Sequence, residues 1–293
     1  MQQIDTVRRF SRTVTQRVGA LDEGFLGSGR PLGAARILWE IGLAGASVGE
    51  LRERLGLDSG YLSRMLRSLE TEGLVTVAPD PEDRRRRRAI LTRKGEREHA
   101  ELDVRSDARA RDLLTGLTER QQERLVGAME EVERLLSAPL VEIEPVDPDH
   151  PDAIRCVQAY FDELHRRDGF DQAASLKVEP DEARPPHGLF LLATLRGEAI
   201  GCGVVKHLPG GVSEIKRVWV ADAARGLGVG RRLLGDLEDE ARRAGAGTVR
   251  LDTNRTLTEA IAMYRSAGYD EVPRFNDEPF AYHWFAKQLA SSG

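Results

Sequence analysis

Ile215-Lys-Arg-Val-Trp-Val220, continued by Ala-Asp-Ala-Ala-Arg225-Gly-Leu-Gly-Val-Gly230 and then by Arg231-Arg232-Leu-Leu, reads as a strand passing through a glycine-rich turn into a helix. Such a turn at a helix N-terminus exposes backbone N–H groups that cradle a phosphate, and the helix dipole favours negative charge there. Turn glycines are common, so the turn alone is weak evidence. Its place in the chain says more. A dinucleotide fold wants this turn after the first strand of a parallel unit, with an acidic residue about 20 residues on. Here strands are already readable over 141–146, 189–195 and 199–205, so the turn follows the fourth strand, 213–220.

Working outward, further strands are expected over 248–252 and 282–287, and helices over 153–167, 229–244 and 258–267. This is an α/β arrangement, a mixed sheet with helices on its faces. Residues 168–188, rich in Pro, Asp and Glu, read as a loop over a site. Toward the N-terminus, Ser137-Ala-Pro-Leu140 breaks a helix and the hydrophobic period changes to alternation. That break divides the chain into domains at 1–139 and 140–293.

The front part is helix-rich. Ile4, Val7, Phe10, Val14 and Val18 form one apolar stripe over 4–19. Helices follow over 36–43, over 48–55 behind a capping box of Ser47 and Glu50, and over 60–72 behind Asp58, the last closed by Gly73. The latter two give helix, short turn, helix, the spacing of a DNA-reading helix-turn-helix. Strands at 74–78 and 88–92 around the turn Pro79-Asp-Pro-Glu-Asp83 form a hairpin, the wing. From Thr92 to Leu136 two helices are expected, the second begun by Thr118 with Gln121. Their stripe from Leu113 and Leu114 through Met129 and Val132 to Leu136 is too large for one small domain to hide, which predicts a dimer seam shared with the first helix.

Composition narrows the function classes. A chain of 293 residues, 40% hydrophobic and without an apolar run near the length of a membrane span, suits two globular domains and no membrane partner. Its first residues carry no apolar export segment, so a cytoplasmic location is expected. Cys156 and Cys202 lack metal-ligand spacing, no metal is expected, and both read as small buried apolar residues. His187 and His207 read as surface residues. Lys and Arg number 24 against 23 Asp and Glu up to residue 140, and 19 against 25 beyond it. An acidic protein binds nucleic acid through a local basic patch, and Arg84 to Arg88 is one.

Two resemblances sharpen the reading. Over 141–290 the chain resembles the GNAT superfamily of N-acetyltransferases, through Gly201-Cys-Gly203, Glu214-Ile-Lys-Arg-Val-Trp-Val220, the Arg225–Gly230 loop, Leu251-Asp-Thr-Asn254, and Ala260-Ile-Ala-Met-Tyr264 before Gly268-Tyr269. The resemblance implies that acetyl-CoA is the co-substrate. Its pyrophosphate would lie on Arg225, Gly226, Leu227, Gly228, Val229, Gly230 and Arg231, its pantetheine arm along Val218, Trp219 and Val220, with Asn254 beside it and Tyr264 near its sulfur. An amine acceptor arrives mostly as ammonium and must lose a proton, so a base is required. Glu214 is the candidate, with pairing to Lys216 or Arg217 as its structural alternative. Tyr264 is the candidate donor to the departing thiolate, and the Val218 amide a candidate for polarising the carbonyl.

Over 1–137 the chain resembles the MarR family of dimeric winged-helix repressors, through Leu51–Leu57, Ser59-Gly-Tyr-Leu-Ser-Arg-Met-Leu-Arg-Ser-Leu-Glu-Thr-Glu-Gly-Leu74, Asp80-Pro-Glu-Asp-Arg-Arg85 and Leu91-Thr-x-x-Gly95. It implies that Ser59, Tyr61, Ser63 and Arg64 meet the major groove of pseudo-palindromic DNA, that Asp83 orders the wing, that Arg84 touches phosphate and that Arg85 enters the minor groove. The run departs from the family pattern at Arg86, Arg87 and Arg88, where an apolar strand residue is usual. The function expected is a DNA-binding regulator fused to an N-acetyltransferase of a small amine, as a homodimer. The alternatives are a sensor that binds acetyl-CoA or a metabolite without turnover, and an enzyme whose front half serves dimerisation alone.

Overall fold

The computed structural model describes residues 2–20, 24–81, 83–169 and 179–289. Two compact units divide the chain, Met1–Ala128 and Met129–Gly293. The division falls inside a helix, upstream of the 139/140 change from helix to strand.

In the first unit, α1 (Gln2–Arg17), α2 (Leu32–Ile41), β1 (Ala46–Ser47), α3 (Val48–Leu55), α4 (Ser59–Thr71), β2 (Val75–Pro79), β3 (Arg87–Leu91), α5 (Arg93–Leu114) and the start of α6 (Glu119–Ser137) follow in order. Asp58 caps α4 by accepting from the Tyr61 amide at 2.8 Å. Leu62, Leu66 and Leu69 of α4 turn inward onto Leu38, Leu51 and Leu74, each fully buried leucine contributing about 1.5–3 kcal/mol. The Ser47 capping box does not form: Ser47 pairs with Arg88 in the sheet, and its side chain makes no cap. Sheet order is β1-β3-β2, all antiparallel. The arginine run does not spoil the inner face of the wing, because Ala89 and Leu91 supply it opposite Val77 and Val75. Ile4, Val7 and Phe10 of α1 are exposed in the single chain.

The second unit continues with β4 (Val141–Val146), α7 (Pro151–Asp168), β5 (Gly188–Leu195), β6 (Glu198–Leu208), β7 (Val212–Val220), α8 (Val229–Arg243), β8 (Thr248–Thr253), α9 (Thr258–Ser266), β9 (Asp270–Glu271) and β10 (His283–Gln288). Its seven strands run β4-β5-β6-β7-β8-β10-β9, and β7 with β8 is the parallel pair. Leu233, Leu234 and Leu237 of α8 bury one face of the sheet, while Ala153 and Cys156 of α7 pack with Cys202 and Val204 on the other. Gly203 permits the first contact, since a Cβ there would come within 2.7 Å of Leu237 Cδ1. Both cysteines are buried and free. His207 differs from expectation: it is half-buried on β6, its Nδ1 3.0 Å from Ser213 Oγ, and burial pushes its pKa down. The expected loop over 168–188 has its centre, 170–178, outside the described residues. Among the described residues no helix is long and apolar enough to cross a membrane, and no group of side chains suits a metal ion.

Candidate functional site

β8 pairs with β7 only across Val212–Glu214 and Thr248–Arg250. Beyond that point the strands part, and the β7 edge from Ile215 to Val220 has no partner in β8. On its other side β7 carries a bulge against β6, where Arg217 and Val218 stand opposite Gly203 alone. Beside the unpaired β7 edge lies a cleft of about 470 Å³. Val218, Trp219 and Val220 form one wall; Ala260 and Met263 of α9 line another side.

The glycine-rich turn closes one end of the cleft. Gly226 and Gly228 hold φ of 86° and 76°, left-handed values that a side chain makes costly. Gly228 caps α8 without any side-chain hydrogen bond, so the first amides of the helix keep their donors for a ligand. Gly226, Gly228, Val229, Gly230 and Arg231 line the cleft, together with Arg225. Two other expected cofactor residues do not. Leu227 turns into the core at 8% exposure. Asn254 is buried in internal bonds to Asp168, the Phe280 carbonyl and Thr256, which fix the β8–α9 turn.

One residue that sequence reasoning missed is Glu163 of α7. Its carboxylate accepts from Arg225 Nη2 at 2.7 Å, from the Trp219 indole at 2.9 Å, and pairs with Arg167 at 2.8 Å. Burial alone would raise this carboxyl, but the Arg225 and Trp219 hydrogen bonds and the arginine charges hold it below the usual range.

The proton-transfer candidates sit apart from one another. Glu214 is buried and does not line the cleft; its carboxylate meets Lys216 Nζ at 3.0 Å and Arg250 at 2.9 Å. Burial again opposes the charge, and the two cations overcome it, keeping Glu214 ionised. The pairing with Lys216 weighed from sequence is present, and Arg250 stands where Arg217 was considered. Lys216 also reaches Asp252. Tyr264 is 5% exposed, packed against Tyr269 and Phe285, and burial raises its phenol, so it stays protonated.

In the first unit Ser59, Arg64, Arg84 and Arg85 are exposed, while Tyr61 and Ser63 are half-buried. The Tyr61 hydroxyl lies against Gly33 of α2, 2.5 Å from where a Cβ would stand. Asp83 Oδ1 accepts the Arg85 amide at 3.0 Å and Asp83 Oδ2 lies 3.5 Å from Arg86 Nε, ordering the wing turn. Arg88 bonds the Ala44 carbonyl at 2.8 Å and pairs with Asp80, which ties the wing to the loop before β1.

Residues 152–269 match the model of the acetyltransferase (GNAT) family, and residues 28–86 that of the MarR family. The chain joins a MarR-family segment to a GNAT-family segment. The GNAT segment is similar to an IAA acetyltransferase of Azospirillum brasilense, 43% identical over 81 residues, 27% of this chain and 53% of that protein. It is also similar to the N-alpha-acetyltransferase RimI of Mycobacterium tuberculosis, 34% identical over 94 residues, 31% of this chain and 58% of that protein. The chain thus spans little more than half the length of these relatives. A GNAT family acetyltransferase from Elizabethkingia anophelis, solved with acetyl-CoA bound, aligns at 19% identity and a TM-score of 0.38, over 51% of this chain and 99% of its own.

Proposed function

We propose that the GNAT segment transfers an acetyl group from acetyl-CoA to the amino group of a small molecule, in a homodimer whose MarR segment binds pseudo-palindromic double-stranded DNA. The observation that carries the reading is the parted β7–β8 pair ending on the uncapped N-terminus of α8. An extended arm fits along an unpaired strand edge, and a pyrophosphate fits at its end. Acetyl-CoA supplies the activated thioester. The chain's part is to orient it by the Val218 and Val220 edge, to hold the phosphates on the amides of Gly226 and of Gly228 to Arg231, and to manage protons. Glu214, ionised at neutral pH, is the proposed base, acting through water because its oxygens are shared with Lys216 and Arg250. Tyr264, kept neutral by burial, is the proposed donor to the leaving thiolate. The exposed apolar residues of α1, and Met129, Leu135 and Leu136 of α6, support the dimer.

One observation favours a second reading, in which the cleft senses acetyl-CoA without turnover: the carboxylate of Glu214 is held by two cations. Thiol release from acetyl-CoA in the presence of a panel of amines separates the readings. Acceptor-dependent release supports the enzyme; saturable binding with no release for any amine supports the sensor. A gel shift against the protein's own upstream DNA tests the MarR half, and absence of any retarded band leaves it a dimerisation module.

A further inference from the structure

Arg217 stands out among the arginines of the second unit. Arg167, Arg184, Arg225 and Arg250 each meet a carboxylate. The Arg217 guanidinium makes no ion pair or hydrogen bond among the described residues, although the residue is half-buried. It is the one β7 residue with left-handed backbone, φ 55°, at the bulge. A non-glycine residue there costs roughly 1–2 kcal/mol, and such strain concentrates where a side chain is aimed for a purpose. The guanidinium lies over the Phe161 ring, 5.3 Å from its centroid, and lines a separate cavity of about 210 Å³.

That cavity is built for a small, partly apolar molecule with one anionic end. Val157, Ala183, Phe190 and Val204 give it apolar walls; Gln158 and Arg217 are polar. Asp149 also borders it, but its carboxylate is engaged by Arg184. Removal from water disfavours the Arg217 charge more than the nearby Tyr160, Cys202, Glu278 and Glu179 favour it, so its pKa is lowered, and an anionic ligand in contact with the guanidinium is a natural complement. The cavity adjoins the cofactor cleft at two places in the chain. Arg217 precedes Val218, and Gln158 lies two residues before Tyr160; Val218 and Tyr160 both line the cleft.

We propose that the acetyl acceptor is a small amine bearing a carboxylate, held through that carboxylate by Arg217 in this cavity so that its amino group faces the cleft. The inference rests on the acetyltransferase reading above and narrows its substrate class. The guanidinium is the anchor, the fork geometry suits two parallel N–H···O bonds, and the apolar walls select the rest of the molecule.

The test uses the full chain and pairs of amines, each an α-amino acid and its decarboxylated counterpart with the same side chain, assayed by thiol release. The wild type should favour the amino acid in at least one pair by about 10- to 100-fold in kcat/KM, the range of a hydrogen bond to a charged group. Arg217→Asn, a residue that tolerates the left-handed conformation, should collapse that preference by raising KM for the acid far more than for the amine. Arg217→Lys should restore part of it. Acetyl-CoA titrated calorimetrically into Arg217→Asn reports whether the unit still folds around its cofactor. Equal use of both members of every pair by the wild type overturns the proposal while leaving the acetyltransferase standing. Equal loss on acid and amine in Arg217→Asn, with acetyl-CoA still bound, makes Arg217 a structural residue and overturns it as well. Turnover of no amine of either kind overturns the enzyme reading beneath it.

Discussion

The indole N–H of Trp219 donates to the carboxylate of Glu163 across 2.9 Å, joining β7 to α7. The same carboxylate receives Arg225 at the start of the glycine turn, so one buried acid ties the cleft wall, the helix beside it and the glycine turn together. A half-satisfied network of this kind is worse than none, since each freed partner keeps its desolvation cost.

Glu163→Gln should therefore destabilise the second unit by about 1–3 kcal/mol, the cost of leaving charged partners incompletely bonded, and weaken acetyl-CoA binding by loosening Arg225. Its pKa is depressed below the ordinary glutamate value of 4.5. The stabilisation is thus present above that value and is lost as the pH falls through the folded-state pKa. Melting curves should show wild type and variant well separated at pH 7 and converging on acidification below pH 4.5. A gap that widens with acid would contradict the assignment.

Glu214 follows the same sign, being depressed from 4.5 by Lys216 and Arg250 against its burial. Its titration therefore lies below the neutral range, and it cannot produce a rise in rate between pH 6 and 8. Glu214→Gln should lower kcat across that whole range, by roughly 10²-fold if it serves as base, with acetyl-CoA affinity nearly intact. A kcat that does not change removes Glu214 from proton transfer and leaves it an ion-pair residue.

Tyr264 is raised by burial and stays a phenol above its ordinary value of 10. Tyr264→Phe should reduce turnover by about 10-fold or more, and the wild-type pH–rate profile should show no loss from Tyr264 ionisation up to pH 10. An alkaline fall below pH 9 that disappears in the variant would show a more acidic tyrosine than this packing allows.

On the wing, Arg85 is exposed while Arg88 is committed to Ala44 and Asp80. Arg85→Ala should weaken DNA binding and relax preference for A·T pairs flanking the site, and Arg84→Ala should reduce the salt slope by about one unit. Arg88→Ala should instead lower the melting temperature of the first unit. Titrations at several salt concentrations, paired with melting curves, separate these effects, and an unchanged salt slope for Arg84→Ala would remove its phosphate contact.

How much of this was legible follows from the range of the interactions involved. The helices at 48–55 and 60–72 and the glycine turn are written in local signals: Asp58 as a cap, Leu62, Leu66 and Leu69 on one face, glycines where φ is positive. Ser47 misled because a strand bridge to Arg88 outcompeted the cap. Leu227 and Asn254 lie inside the motif spacing yet face the core and an internal turn, and backbone spacing does not say which way a side chain turns. Glu163 pairs with residues 56 and 62 positions away; its sequence traces are local, Arg167 four residues on and Cys156 and Tyr160 on the same face of α7. Arg217 left no trace, because its interest arises from a bulge and from the carboxylate it does not meet.

The central claim, that the cleft beside the unpaired β7 edge holds acetyl-CoA with its pyrophosphate on the turn before α8, is tested most directly by calorimetric titration of acetyl-CoA into the full chain and into Gly228→Val. A β-branched residue at φ 76° is strained and removes the approach of the phosphate to the amides. The account predicts saturable binding to the wild type at one molecule per chain, and loss of that binding in Gly228→Val with the cooperative melting transition retained. No heat of binding in the wild type, or wild-type affinity in Gly228→Val, would contradict it.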